Sequence, residues 1–123
     1  MPGSPRYVLD FSDTAVDGKQ STVSDPAAVD RPYTARSWRH FERPESGALA
    51  GIWEAEPHLE RVDCDYDELC HLLEGRVRLT DADGVSQEFG PGDSFVVAAG
   101  FTGTWENLTS VRKVFFILQP DRG

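Results

Sequence analysis

The sequence predicts an all-β domain whose strands close into a sandwich or a barrel. Three observations point there. Short apolar runs recur at regular spacing and are divided by Gly, Pro and Asp turns. Several runs alternate apolar and polar residues with period two, the mark of a half-buried strand. No long stretch carries the 3.6-residue period of an amphipathic helix. Closing such a sheet removes the unpaired edges that short strands would otherwise expose.

Residues 1–36 read as an irregular N-terminal arm, with Pro at positions 2, 5, 26 and 32 and fragments such as Tyr7-Val8-Leu9. One short strand is expected in it, packed on the outside of the domain or exchanged with a partner subunit. Residues 37–123 read as the barrel. Ser37–Phe41 is the first strand there, turned by Glu45-Ser46-Gly47 into Leu49–Ala55, and Pro57 ends that second strand. Leu59–Cys64 follows, then an acidic bend at Asp65-Tyr66-Asp67 and a strand over Glu68–Leu73 ending at Gly75. Arg76–Asp81 places Val77 and Leu79 on one face. Asp83-Gly84 is the strongest hairpin signal and leads into Val85–Phe89. After the Gly90-Pro91-Gly92-Asp93 turn come Ser94–Ala98, a short strand at Thr104-Trp105-Glu106, and Val111–Leu118.

The 123 residues suffice for one core. The net charge of −9 comes from 21 acidic and 12 basic residues, with no basic stripe. Such a surface repels phosphate backbones and anionic lipid, so neither nucleic acid nor a membrane is expected as a partner. The longest apolar runs, Phe95–Phe101 and Val114–Leu118, are far short of the roughly 20 residues a membrane-spanning helix needs. Residues 1–6 show no secretory signal pattern, and two cysteines, Cys64 and Cys70, do not make a disulfide framework. A cytoplasmic protein with free thiols is the expectation.

The spacing Glu68-x6-Gly75, followed by Gly92-Asp93 and Gly100, resembles the two cupin motifs. Those motifs have the forms G-x5-H-x-H-x3–4-E-x6-G and G-x5-P-x-G-x2-H-x3-N. Further likeness is to small single-domain cupins grouped with the (S)-ureidoglycine aminohydrolase-type cupins. It rests on Gly51-Ile52-Trp53-Glu54, Tyr66-Asp67-Glu68-Leu69-Cys70, Leu73-Glu74-Gly75, Gly92-Asp93, Gly100 to Glu106, and Arg112-Lys113. The resemblance covers residues 37–118. It implies a cupin jelly-roll barrel (a double-stranded β-helix) of six to eight strands, often a homodimer, and it assigns no single reaction.

The resemblance also raises the question of a metal. Cupin metal sites use two His and a Glu from the first motif and a His from the second. Glu68 stands at the Glu position. The first-motif His positions fall on Val62 and Cys64 with a three-residue spacer, or on Arg61 and Asp63 with four. The second-motif His falls on Gly103. The histidines present are His40, His58 and His71, and His71 has the opposite strand parity to Glu68. No cofactor is therefore expected, with Glu68 a weak candidate ligand should a divalent transition metal bind.

Strand parity then groups candidate pocket residues. Cys64, Tyr66, Glu68 and Cys70 share one parity, as do Lys113, Phe115 and Ile117. The expected small-molecule pocket comprises Trp53, Cys64, Tyr66, Glu68, Cys70, Trp105, Lys113 and Phe115. Glu68, Lys113 and Cys70 are the candidate catalytic groups, a buried Glu–Lys pair being able to serve as acid and base. Each has a plainer role open to it. Glu68 and Lys113 fit a structural ion pair, the cysteines small core residues, and the tryptophans packing. The acidic residues Glu60, Asp63, Asp65 and Asp67 are expected on a solvated rim. Three functions stay open: a small-molecule-binding cupin without the usual metal, a metal-dependent hydrolase or isomerase of a ureido, amide or sugar-like metabolite, and a non-catalytic dimerisation or regulatory module.

Overall fold

Gly, Pro and Asp at the bends decide where the chain crosses from one sheet to the other. The computed structural model describes residues 7–13 and 15–119, so the reading of residues 1–6 lies outside it. It contains ten strands: β1 (Lys19–Val23), β2 (Tyr33–Arg43), β3 (Ala48–Ala55), β4 (His58–Asp63), β5 (Asp67–Glu74), β6 (Val77–Asp81), β7 (Ser86–Phe89), β8 (Ser94–Val97), β9 (Thr102–Asn107) and β10 (Val111–Leu118). They form a six-stranded sheet ordered β1-β2-β3-β10-β5-β8 and a four-stranded sheet ordered β4-β9-β6-β7, and every pairing is antiparallel. From β3 onward the chain changes sheet at Pro57, at 64–66, at Gly75, at 90–93, at 98–101 and at 108–110. Over that stretch only the β6–β7 hairpin stays within one sheet. Its turn is made by Gly84 at φ 84° and by the Asp81 carboxylate, which accepts the N–H groups of Asp83 and Val85.

The result is an all-β, cupin-like jelly roll of two facing sheets, and it corrects two expectations. The cupin resemblance implies six to eight strands, whereas ten are found among the described residues, the number that the run-by-run reading with one strand in the arm expects. It also implies a closed barrel, yet no ladder joins the two sheets among the described residues. Six strands face four, so the wide sheet runs past its partner. The edges are managed in another way. The segment Ala28–Asp30 lies along β4, where Asp30 N–H donates to the Leu59 carbonyl and Arg61 N–H to that of Ala28.

Alternation places Cys70, Leu72, Val77, Leu79, Val97, Trp105 and Val111 in the main core between the sheets. A second cluster, Val29, Tyr33, Ala35 and Ala55, continues it under the first residues of β2. β2 is longer than the Ser37–Phe41 run suggests, and its register slips between Arg39 and Phe41. The slip is a bulge just after Arg39 that turns Phe41 to the outward face, where it stacks on Phe116.

Candidate functional site

The inward face of the six-stranded sheet is laid out in rows. Ser37, Trp53, Lys113 and Leu72 stand in register across β2, β3, β10 and β5. The next row is Arg39, Gly51, Phe115 and Cys70, and after it come Leu49, Ile117 and Glu68. Val62 and Glu60 of β4 and Trp105 of β9 approach from the opposite sheet. Between them lies a cavity of about 220 Å³. A volume of this order equals roughly seven waters, the size of a small metabolite.

Of the expected pocket residues, Trp53, Cys64, Tyr66, Glu68, Trp105, Lys113 and Phe115 line this cavity. Cys70 does not. It is fully buried behind the wall, its Sγ 3.9 Å from Lys113 Nζ. Lys113 is the centre of the arrangement. Its Nζ donates to Glu68 Oε2 at 2.8 Å and sits 4.1 Å from the Trp105 ring centroid and 4.6 Å from that of Trp53. A buried ammonium between two indoles gains from their π faces, but the carboxylate is what keeps it charged. Burial alone would push Lys113 down. The charge and hydrogen bond of Glu68, helped by Cys70 and Tyr66, outweigh burial and hold it above the usual lysine range.

The thiols and the Tyr66 phenol beside this pair keep their protons. Burial, with Lys113 opposing and Glu68 adding, pushes the Cys70 thiol up to about 12. Burial and then the charge of Glu68 raise the half-buried Cys64. Burial followed by Glu68 carries Tyr66 up to about 12, so its hydroxyl keeps its proton at neutral pH. Neither cysteine has the lowered thiol pKa that a nucleophile needs. Beside the Lys113–Glu68 pair the wall thus offers a neutral thiol and a neutral phenol, with Arg39 and Glu60 as further charged groups.

Four cavity residues carry no clear mark in the sequence: Tyr33, Ser37, Arg39 and Glu60. Glu60, expected on the solvated acidic rim with Asp63, Asp65 and Asp67, instead lies on the cavity wall. Its Oε2 accepts the Tyr33 hydroxyl at 3.2 Å. A signal exists, since Glu60 shares strand parity with Val62 and Cys64. Tyr33, Ser37 and Arg39 share the parity of Ala35 on β2, but the irregular composition before residue 37 hides the start of that strand. The Tyr33 hydroxyl is itself raised by burial and by Glu60.

Behind Glu60 lies a buried polar chain. The Trp105 indole N–H donates to Asn107 Oδ1 at 2.7 Å, and Asn107 Nδ2 donates to the Glu56 carbonyl at 3.2 Å. His58 Nδ1 is 2.8 Å from the same carbonyl, which can only accept, so Nδ1 carries a proton. The His58 ring stacks on Tyr33 with centroids 3.4 Å apart. Its Nε2 has no hydrogen-bond partner and stands 3.6 Å from Glu60 Oε1, within ion-pair reach but too far for a hydrogen bond. His71 contacts Ser94 Oγ, and His40 stacks on Phe11, both away from the cavity.

These residues do not fit the metal site of the cupin motifs. Among the described residues no group of three or more His, Cys, Asp or Glu could hold a metal ion. The carboxylate of Glu68 is engaged by an ammonium that would repel a cation. At the second-motif His position, a Cβ built on Gly103 would stand 2.0 Å from the Thr80 carbonyl oxygen and 3.0 Å from Asp81 Cα. β6 therefore occupies the space a side chain there would need.

Comparison with known proteins places this geometry in context. A family model described as the EutQ-like cupin domain matches residues 42–115. A Pseudomonas syringae protein of unknown function, of the DUF861 family, is 28% identical with a TM-score of 0.74; the match covers 89% of this chain and 46% of that one. The Clostridium difficile EutQ protein shares the fold at 17% identity and a TM-score of 0.63, over 72% of this chain and 65% of that one. A Thermotoga maritima DUF861 protein is 33% identical over 54% of this chain and 75% of its own, with a TM-score of 0.52. The chain thus spans less than half the length of the Pseudomonas protein. A search of curated proteins found no match. No helix among the described residues is long and apolar enough to cross a membrane.

Proposed function

The chain belongs to the EutQ-like cupin domain family, and from that premise we propose that it binds a small molecule in the cavity between its sheets, with the Lys113–Glu68 pair at the place where other cupins hold a metal. The observation that carries this reading is an ammonium and a carboxylate 2.8 Å apart, set against two indole rings in the wall of a cavity. An apolar hollow with a few convergent polar groups is the usual form of a small-ligand site. In that position Lys113 can donate to a ligand oxygen or stabilise a developing negative charge, and Glu68 can accept a proton. The motif likeness to (S)-ureidoglycine aminohydrolase-type cupins supports a ureido, amide or sugar-like metabolite as the occupant. On this reading β1 belongs to an N-terminal arm that covers the edge of β2.

Two measurements test the proposal together. Elemental analysis of protein purified without chelator should show no stoichiometric transition metal, in wild type or in Glu68→Gln. A thermal-shift screen of metabolites should find compounds that stabilise wild type and not Trp105→Ala, a ligand at 100 times its Kd contributing about 2.7 kcal/mol. Stoichiometric metal that is lost in Glu68→Gln would overturn the reading.

A second function is favoured by a separate observation. On the outward face of the six-stranded sheet, Phe116, Leu69 and Val96 stand in one register row, with Phe41 stacked on Phe116. Phe116, Leu69 and Val96 are 42%, 49% and 62% exposed, a contiguous apolar stripe of the kind that marks an association face. A second copy of the chain, the homodimer that the cupin resemblance implies, is the proposed occupant.

A further inference from the structure

The pairing of charges across the surface isolates one residue. Among the described arginines, Arg31, Arg76, Arg78 and Arg112 make ion pairs, Arg36 and Arg43 cover aromatic rings, and Arg61 donates to a carbonyl. Of these described arginines, Arg39 alone has no ion pair, hydrogen bond or ring contact through its side chain. In a chain with 21 acidic side chains an idle guanidinium is unusual, because carboxylates are abundant nearby. It stands exposed at the mouth of the cavity. The alternation of β2 through Tyr33, Ala35 and Ser37 puts it on the cavity face, beside Gly51 in register, and it lines the cavity at its exposed end. Ser37, two residues earlier on the same face, also lines the cavity with its hydroxyl unbonded. Together they present a guanidinium fork and a hydroxyl to whatever enters.

The remaining polar groups restrict the ligand further. Glu60 and Glu68 both line the cavity, so a ligand with two negative charges would meet carboxylates on opposite walls. Glu60 Oε2 is already given the Tyr33 hydroxyl, while Oε1 is open to another donor. Glu68 is occupied by Lys113. A ligand that satisfies the site therefore has one anionic oxygen pair at the Arg39 end and an O–H or N–H group toward Glu60.

Resting on the reading of this cavity as a ligand site, we infer that its ligand is a small monocarboxylate bearing a hydroxyl or amino group, with the carboxylate held by Arg39 and Ser37 and the donor facing Glu60. A guanidinium fork matches a carboxylate in a bidentate manner, and such charge-assisted bonds are the strong ones. A phosphate dianion offers the same oxygen chemistry but is refused by the two glutamates.

The test is an NMR titration with lactate, serine, lactamide and inorganic phosphate, following the indole N–H signals. Trp53 and Trp105 line the cavity, and Trp38, between Arg36 and Arg112 on the outer face, is the internal control. Lactate or serine should move the Trp53 and Trp105 signals saturably and leave Trp38 still. Arg39→Gln, an exposed substitution, should weaken that binding by about tenfold or more while the melting temperature holds. Arg39→Lys should recover part of it. Equal binding by lactamide, strongest binding by phosphate, or an unchanged affinity in Arg39→Gln would each overturn the carboxylate assignment and leave the cavity reading standing. If none of the four probes moves Trp53 or Trp105, both fall.

Discussion

Lys113 carries its ammonium into a wall of aromatic rings, and Glu68 is the reason it can remain charged there. The two side chains are only 8% and 12% exposed. Removing one partner strands the other without water, which costs more than the pair itself contributes. Lys113→Met is accordingly expected to destabilise the protein by about 3–5 kcal/mol in urea unfolding, and Lys113→Met with Glu68→Gln to recover most of that loss. If the double variant is no more stable than Lys113→Met, the pair is not the source of the cost. The pH dependence has a definite sign. A lysine held above its ordinary value of about 10.4 contributes stability that is fully present below that pH. The contribution is lost as pH rises above it, through the folded value. The wild-type advantage over the double variant should therefore shrink only in strong alkali, and a loss in the neutral range would contradict the assignment.

At the scale of the strand, the close approach of β9 to β6 leaves no room for a side chain at the second-motif His position. Gly103 pairs with Asp81 and faces the backbone of Thr80 so closely that even a methyl group has no room. Gly103→Ala should cost about 1–3 kcal/mol through overpacking. Gly103→His should neither fold as well nor create a metal site, as measured by urea unfolding and metal content. A variant of wild-type stability that gains metal would show the strand pair to be more compliant than its geometry indicates. β2 illustrates the same scale. Its alternation from Tyr33 through Ala35 and Ser37 to Arg39 is regular, yet it is legible only from residue 37. Before that point the prolines, aspartates and serines outweigh it in composition. Tyr33 escapes a sequence reading for that reason, Ser37 and Arg39 because two polar residues do not mark the inward face of a strand, and Glu60 because its acidic neighbours suggest a rim.

At the scale of the whole molecule, the six-stranded sheet has two unlike faces, the inner one lining the cavity proposed for a ligand and the outer one carrying the stripe proposed for a second copy. Alternation makes this unavoidable. The residues between Lys113, Phe115 and Ile117 are Val114 and Phe116, which point the other way. Phe116→Arg is expected to convert a dimer to a monomer in sedimentation or light scattering, because a charge in the middle of an apolar stripe has no partner across a symmetric interface. The same variant should leave binding at the Trp53–Trp105 cavity intact. A wild type that is monomeric at all concentrations would remove the proposed partner without touching the cavity.

The all-β class, the positions of the turns and the parity of most inward residues can be read from the chain alone. They follow from local chemistry: glycine at a positive φ, proline without an N–H, and a side-chain period of two. For the same reason Tyr66, Glu68, Lys113 and Trp105 fall into one group by parity and motif. Other features belong to the tertiary arrangement. They include the 2.8 Å contact of Lys113 with Glu68, the placing of Cys70 behind the wall, the turning of Phe41 outward by a bulge, and two sheets that no ladder joins among the described residues. Each depends on how strands far apart in the chain settle against one another, and register between distant strands is set by packing across the whole sheet rather than by any local run of residues.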